Sequence, residues 1–316
     1  MTIVPPQPGE PRRPEGPRDS GDAWVVAPSG ERYWGRYGAA GLLAVDPERG
    51  VLLQHRVGWS HYGGTWALPG GALHEGESAL HGAVREAQEE AGIPDEAVRP
   101  WFASVFDLGY WSYTTVVGEV LEPFEPVISD PESLALEWVP VGEVTERPLH
   151  PGFADAWARL RPLLEVRPAI VVDAANVVGS VPDGWWKDRA GAATRLRERL
   201  RRWTHAGVTG AALGLDAERW YPEVSLVVEG AARGMDDGAG AASSGRPDGG
   251  LAGGAAVRVV RADGHGDDAI LREAVARRDA GRRVTGVTSD RELRGRLEAA
   301  GVPVMPAGWL LDQLPD

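Results

Sequence analysis

Residues 70–93, GGALHEGESALHGAVREAQEEAGI, constrain this chain more than any other stretch. Ser78 can cap a helix, Ala79, Ala83 and Ala87 fall along one helical face, and Gly92 followed by Pro94 ends the run, so the pattern predicts a helix over about 78–91. Glu86, Glu89 and Glu90 are spaced by three and four residues and share a face. Like charges at that spacing cost roughly 0.2–0.5 kcal/mol per pair, and they sit in the last turns, where the helix dipole favours cations. Arg85 is the only Lys or Arg in the helix. The arrangement is unfavourable for a bare helix and becomes favourable with a divalent cation among the carboxylates. All-oxygen ligands suit Mg²⁺ or Mn²⁺, which bridge to substrate phosphates. The competing reading is a solvated acidic face.

The chain has 316 residues, which favours two domains. Cysteine is absent, which excludes disulfides, a thiolate nucleophile and zinc–sulfur sites. No apolar run is long enough to span a bilayer, and six prolines and several charges occupy the first twenty residues, so a soluble cytoplasmic protein with no membrane partner is expected. Residues 22–166 carry 22 acidic against 9 basic residues, while residues 167–316 carry 21 of each, so the net charge of −13 sits in the first part. Such a segment binds nucleic acid poorly and suits cations. Arg outnumbers the single lysine, Lys187, and Ala and Gly are abundant, as in GC-rich bacterial genomes.

Residues 1–22 are Pro-rich and polar and are expected to be a disordered tail. The apolar runs AWVVA, AAGLLAV, GVLLQHRV, WFASVFDL, YTTVVGEVL and LALEWVPV predict strands of a mixed sheet in a domain over 23–166, closed by a helix over about 152–164. Strands and helices then alternate through residues 167–316, which predicts a parallel α/β domain with a Gly-rich insertion at 230–256.

Gly71, Glu77, Arg85-Glu86, Glu89-Glu90 and Gly92, with Ala87 and Ile93 at the apolar places, match the Nudix box. WALPGG leads into that stretch and ESLALEWVPVGEV is similar to the strand and turn that close the family fold. Residues 23–166 thus resemble a MutT-like Nudix hydrolase. The resemblance implies an α/β/α sandwich with a mixed sheet that cleaves the pyrophosphate bond of a nucleoside diphosphate linked to another group. An NTP, an oxidised dNTP or an ADP-ribose-type compound is the substrate class, with Mg²⁺ or Mn²⁺ as cofactor. By the same resemblance Glu86, Glu89 and Glu90 bind metal or activate water, the Gly70 carbonyl is a further ligand, and Glu77 and Arg85 orient the helix carboxylates. Some members add a glutamate from outside the box. Glu132, just before LALEWV, is the candidate here, against a plain surface role. Tyr62, Tyr110 and Trp111 could stack on a nucleobase and Arg56 could meet phosphate, whereas Trp66 reads as core. A nucleotide sensor without turnover is a rival reading, and the complete set of box glutamates argues against it.

In the second domain, AIVVD, SLVVE and TGVTSD place acids at the ends of apolar strands, where open parallel sheets bind ligands. Converging carboxylates there would hold Mg²⁺ or Mn²⁺ and support two-metal phosphodiester hydrolysis. Helix caps are the alternative, Ser289 and Glu292 forming a capping box. VVDAANVVG, GDDAI and VTSDREL together resemble the PIN-like nucleases, specifically the NYN branch, over about 168–312. That resemblance implies a Rossmann-like fold, a metal site of Asp173, Asn176, Asp268 and Asp290 with Asp267 beside them, and RNA as a partner. Asp188 is a further candidate, and the basic run 195–202 is either an RNA-facing or a solvated helix face.

Overall fold

The apolar runs of the first half pair into two sheets. In this computed structural model, which describes residues 1–5, 20–182, 184–236 and 257–315, Thr2–Val4 (β1), Trp24–Val26 (β2) and Arg32–Trp34 (β3) form an antiparallel trio. The larger sheet uses Ala39–Asp46 (β4), Gly50–Arg56 (β5), Trp66–Ala67 (β6) and Gly70–Ala72 (β7). After the helix Ala79–Ala91 (α1) come Val98–Asp107 (β8), Ser112–Val120 (β9) and Ser133–Val139 (β10), followed by the helix Pro151–Leu163 (α2). The order is β10–β5–β4–β9–β8, with β6 on β5 and β7 on β4. β4 runs parallel to β9 and antiparallel to β5 and β7, so the sheet is mixed.

Helix α1 lies on this sheet through its small residues. Ala83, Ala87 and Ala91 are fully buried and join Ala40, Leu42 and Ala44 of β4 in one core. Methyl groups at the seam let the helix backbone come close to β4 and β7. Ser78 accepts a hydrogen bond from His81 N at the start, and Gly92 closes the helix at φ +62, its N–H donating to Gln88 O. A left-handed cap is the place for glycine.

The second half begins with Pro168–Asp173 (β11), Ala174–Gly179 (α3), Arg189–Ala206 (α4), Val208–Thr209 (β12), Gly210–Leu213 (α5) and Arg219–Trp220 (β13). It continues with Glu223–Val228 (β14), Arg258–Arg261 (β15), Gly266–Asp279 (α6), Arg283–Val287 (β16), Arg291–Ala299 (α7), Val304–Met305 (β17) and Ala307–Leu311 (α8). Its sheet has the order β15–β14–β11–β16–β17 and is parallel throughout. Ile170 and Val172 face a core shared with Leu196, Leu200 and Leu310, while Ala169 and Val171 face one shared with Ile270, Leu293 and Leu297. Helices therefore cover both faces, as the continuous apolar run of β11 requires.

The chain divides into a first unit, Met1–Leu163 with Gly214–Arg219, and a second unit taking up the remaining described residues from Leu164. Gly214–Arg219 joins the first unit although it follows β11 in sequence. Glu218 N donates to Ala103 O (3.1 Å), and Val105 N donates to Glu218 Oε2 (2.7 Å). No local pattern in the sequence marks this return.

The expected disordered tail over 1–22 is corrected at its two ends. The β-branched Thr2–Val4 pairs with β2, Gly21 O accepts from Arg36 N (2.8 Å) and Ser20 Oγ accepts from Glu75 N (3.0 Å). Residues 6–19 lie outside the described residues. So does most of the expected insertion at 230–256, of which Gly230–Gly234 forms a 3-10 turn. No helix among the described residues is long and apolar enough to cross a membrane.

The close seam between α1 and β4 makes a direct prediction. Ala87→Leu should lower stability by roughly 1–3 kcal/mol through overpacking, read as a fall in the urea midpoint; an unchanged midpoint would contradict the packing described.

Candidate active site in the first unit and a carboxylate edge in the second

Burial of the alanine face turns Glu86 and Glu90 toward β7 while leaving Glu89 exposed. A Cβ at Gly71 would lie 2.6 Å from the Glu86 carboxylate, so only glycine leaves room for that side chain. Gly70 N donates to Glu90 Oε2 (2.9 Å), and a Cβ at Gly70 would meet the Gly41 backbone at 2.5 Å. The consecutive glycines before the helix are thus a cradle for two of its glutamates.

Arg85 ties the helix to the loop before it. Its Nε and Nη2 donate to the two oxygens of Glu77 (2.9 and 3.0 Å), Nη2 also to Ala72 O (3.1 Å), and Nη1 to Glu86 Oε1 (2.9 Å). Glu89 lies 3.6 Å from the same guanidinium. Glu77 also accepts from His74 N (2.9 Å). Burial alone would raise the Glu77 pKa, but the bonds from Arg85 and His74 overcome it and hold the group below its ordinary range. Burial works against the Arg85 charge, and Glu77 and Glu86 more than compensate, keeping it protonated.

Glu90 is different. Burial pushes its pKa well up, and Glu86, Asp130 and Glu132 push in the same direction, with Arg56 opposing them. Four carboxylates thus act around one buried point. Glu132 N donates to Asp130 Oδ1 (3.0 Å), and Val57 N donates to Glu132 O (3.0 Å), which anchors that turn beside the end of β5. Tyr113 of β9 reaches the same place: its hydroxyl lies 2.4 Å from where a Cβ of Gly41 would be, and burial raises its pKa, with Arg56 opposing and Glu90 and Glu86 adding. Among the described residues no three His, Asp or Glu side chains are already gathered tightly enough to hold an ion. The donor set nevertheless fits a hard divalent cation: it is all oxygen, it carries excess negative charge in a buried place, and Gly70 and Gly71 leave it room.

The sequence candidates separate in space. Glu77, Arg85, Glu86, Glu90, Glu132 and Arg56 belong to this one electrostatic neighbourhood, with Glu89 at its exposed rim. Trp66 is buried, its ring stacked on His55 at 4.7 Å, as a core residue should be. Trp111 is stacked on Tyr33 at 4.7 Å with its indole N–H donated to Trp34 O (3.1 Å), and Tyr110 meets the edge of Tyr33. One face of Trp111 is therefore taken up by packing. Tyr62 instead meets His61 and His150. Asp130 and Tyr113 escaped the sequence reading. The run SDPES signals an Asx turn that could have located the first, while β9 gives no local sign that Tyr113 faces Gly41.

In the second unit Asp173 ends the central strand. It accepts from Asn176 N (3.0 Å) and from Thr288 Oγ1 (2.8 Å), and Asn176 Oδ1 accepts from Ser289 N (2.8 Å). Burial raises the Asp173 pKa; these two bonds to Asp173 oppose it, and Asp267 and Glu229 add to it. Burial also raises Asp267, with Asp290 and Glu229 adding and Arg296 opposing. Asp290 also caps α7 through Glu292 N and Leu293 N. Asp268 is corrected: it is exposed and paired with Arg296 (2.5 Å), because one residue along α6 turns a side chain by about 100°. Asp267 takes the inward place, and Glu229, whose carboxylate accepts from Gly266 N (2.8 Å), faces it. Asp188 caps α4 through Gly191 N (2.9 Å). Of the basic run, Arg197 is buried against Glu198 and the Asp236 carbonyl, and Arg199 donates to Pro315 O (2.7 Å), leaving Arg195, Arg201 and Arg202 exposed.

Comparison with known proteins matches residues 35–160 to the NUDIX domain model. A protein of Mycobacterium tuberculosis strain H37Rv, provisionally named 8-oxo-dGTP diphosphatase 3, is 49% identical over 154 residues, which are 46% of this chain and 70% of that one. The chain belongs to the Nudix hydrolase family. Its Nudix part is also 40% identical over 153 residues to a nucleoside triphosphate pyrophosphatase/Nudix hydrolase fusion protein of Bifidobacterium longum, covering 46% of this chain and 32% of that one. The crystal structure of the Mycobacterium smegmatis Nudix hydrolase RenU is 47% identical, covers 46% of this chain and 95% of that chain, and superposes with a TM-score of 0.42.

The Glu77–Arg85 clamp gives a pH prediction. With its folded pKa below the ordinary 4.5, Glu77 contributes stability that is complete above that value and is lost as pH falls through the lowered one. Glu77→Gln should flatten the acid limb of the melting-temperature profile as pH falls below 4.5; an acid limb as steep as that of the unaltered chain would count against the clamp.

Proposed function

We propose that the chain is a cytoplasmic enzyme whose first unit hydrolyses the pyrophosphate bond of a nucleoside diphosphate linked to another group, with Mg²⁺ or Mn²⁺. The name of the mycobacterial relative favours an oxidised deoxynucleoside triphosphate; a plain NTP or an ADP-ribose-type compound is the wider class. The observation that carries the reading is the buried Glu90, held by the Gly70 N–H at the glycine cradle, with Glu86, Asp130 and Glu132 acting on it and Arg56 opposing them. Glu86, Glu89, Glu90, Glu132 and the Gly70 carbonyl would hold the ion. Such an ion, when bound, neutralises phosphate oxygens and lowers the pKa of a bound water.

The chain's own side chains have separable tasks in this reading. Arg85, held by Glu77, fixes Glu86 at the mouth of the glycine cradle. Arg56 supplies a guanidinium for a phosphate oxygen. Glu89, exposed at the rim, takes the proton from water as the new P–O bond forms and the anhydride oxygen leaves with the nucleotide. Glu90→Gln keeps the shape of the buried side chain and removes its charge. It and Glu89→Gln should each lower release of nucleoside monophosphate from an oxidised dNTP by at least about 100-fold, whereas Glu77→Gln, acting through Arg85, should lower it about 10–100-fold. Full turnover by the Glu90 variant, with products resolved by chromatography, would refute the assignment.

A second reading concerns the second unit, where Asp173, Asp267, Glu229 and Asp290 act on one another at the carboxyl edge of the sheet. We infer a PIN-like, NYN-type nuclease site of Asp173, Asn176, Asp267 and Asp290 that uses a divalent ion on RNA, with Arg195, Arg201 and Arg202 as contacts for its phosphates. Asp173→Asn should abolish RNA cleavage and leave nucleotide hydrolysis intact; equal RNA cleavage by both proteins would remove the nuclease reading.

A further inference from the structure

The loop between β5 and β6 is closed on itself. Gly64 N donates to Arg56 O (2.9 Å), Arg56 N to Thr65 O (2.9 Å), Gly63 N to Ser60 O (2.9 Å) and Thr65 Oγ1 to Tyr62 O (2.6 Å). At its tip Tyr62 is 50% exposed and adopts φ +53. A left-handed conformation strains a residue that carries a side chain, and burial of its ring offers little in return here. The Tyr62 ring lies 4.4 Å from that of His61 and meets His150 edge-on at 4.8 Å. His61 in turn packs against Trp24 at 5.4 Å.

This ring cluster adjoins the candidate active site through one cation. Arg56 Nε donates to His61 O (3.3 Å), and the Arg56 charge acts on Glu90 and Tyr113 on one side and on His150 on the other. A phosphate held between Arg56 and the glutamate cradle would leave the rest of a nucleotide beside Tyr62 and His150.

His150 has a defined protonation state. Gly152 N donates to its Nδ1 (3.1 Å), so Nδ1 is an acceptor and the ring proton is on Nε2. Burial, with Arg56 and His61 adding, holds its pKa down to about 4, and the start of α2 next to it also disfavours a cation. Its Nε2–H makes no hydrogen bond among the described residues.

We propose that Tyr62 and His150 form the nucleobase subsite of the first unit, Tyr62 stacking on the base and His150 donating its Nε2–H to a ring carbonyl. The inference rests on the Nudix reading of the neighbouring carboxylates. It selects bases carrying a carbonyl, guanine among the purines, over adenine, whose exposed edge offers an amino group in that place. His150→Phe keeps a ring and removes the donor, whereas His150→Gln keeps a donor of similar reach.

The test compares kcat/KM for dGTP, dATP and methyl triphosphate, the last having no base. His150→Phe should lower dGTP turnover about 10-fold relative to methyl triphosphate, through KM, and erase preference for dGTP over dATP. His150→Gln should restore much of that preference. Tyr62→Leu should weaken both nucleotides relative to methyl triphosphate. Losses by His150→Phe that are equal on all three compounds, or a preserved dGTP preference, would overturn the proposal. Equilibrium binding of a non-hydrolysable dGTP analogue with Mg²⁺ separates the two levels of inference. Weaker binding by both His150→Phe and Tyr62→Leu, each melting as the unaltered chain does, supports the subsite even if no compound is turned over; equal binding overturns it.

Discussion

Arg85 binds Glu77, Glu86 and the Ala72 carbonyl at once, and the arrangement of carboxylates around the end of α1 depends on this contact. A guanidinium stays charged at any physiological pH and presents its donors in a fixed fork, so a single side chain can set the distance between helix and loop. Glu86 is thereby held beside Gly71 with its charge partly balanced. The imbalance is passed on to Glu90, which is more deeply buried and accepts from the Gly70 backbone N–H. Glycines at 70 and 71 are the steric counterpart of that electrostatic arrangement: a Cβ at 71 would occupy the space of the Glu86 carboxylate, and one at 70 would meet the backbone of β4.

The second unit reaches a similar concentration of acids by another route. Its central strand β11 has β14 and β16 as neighbours, and the chain reaches them in opposite directions across the sheet. A crevice therefore opens at the carboxyl end of β11, where Asp173 lies. Support comes from hydroxyl and amide groups, Thr288 on one oxygen and the Asn176 backbone on the other, in place of an arginine. In both units the scaffold fixes one buried acid firmly and lets its neighbours raise its proton affinity.

Much of this was legible in the sequence wherever the information is local. The cap at Ser78, the stop at Gly92 and the shared face of Glu86 and Glu90 follow from helical spacing alone, and α1 has those limits. The parallel sheet of the second half followed from its alternating pattern. Features that depend on pairing between distant strands were not legible. Arg32–Trp34 and Gly70–Ala72 are three-residue strands with too few residues to show alternation. Asp130, Tyr113 and His150 come together only after β9, β10 and the start of α2 take their places. Asp267 and Asp268 are adjacent, identical in chemistry and both in a first helical turn, so only the setting of α6 on its sheet distinguishes them.

The six residues Gly214–Arg219 carry a consequence for dissecting this protein. Because Glu218 caps the Ala103 carbonyl and the Val105 amide, a fragment ending at Leu163 would leave that stretch of β8 bare, and bare strand edges recruit water at best and other chains at worst. Aggregation of an isolated N-terminal fragment would then report a missing edge guard contributed from downstream and say nothing against its capacity for chemistry. A covalent graft of that hexapeptide onto the fragment is the more faithful way to isolate it.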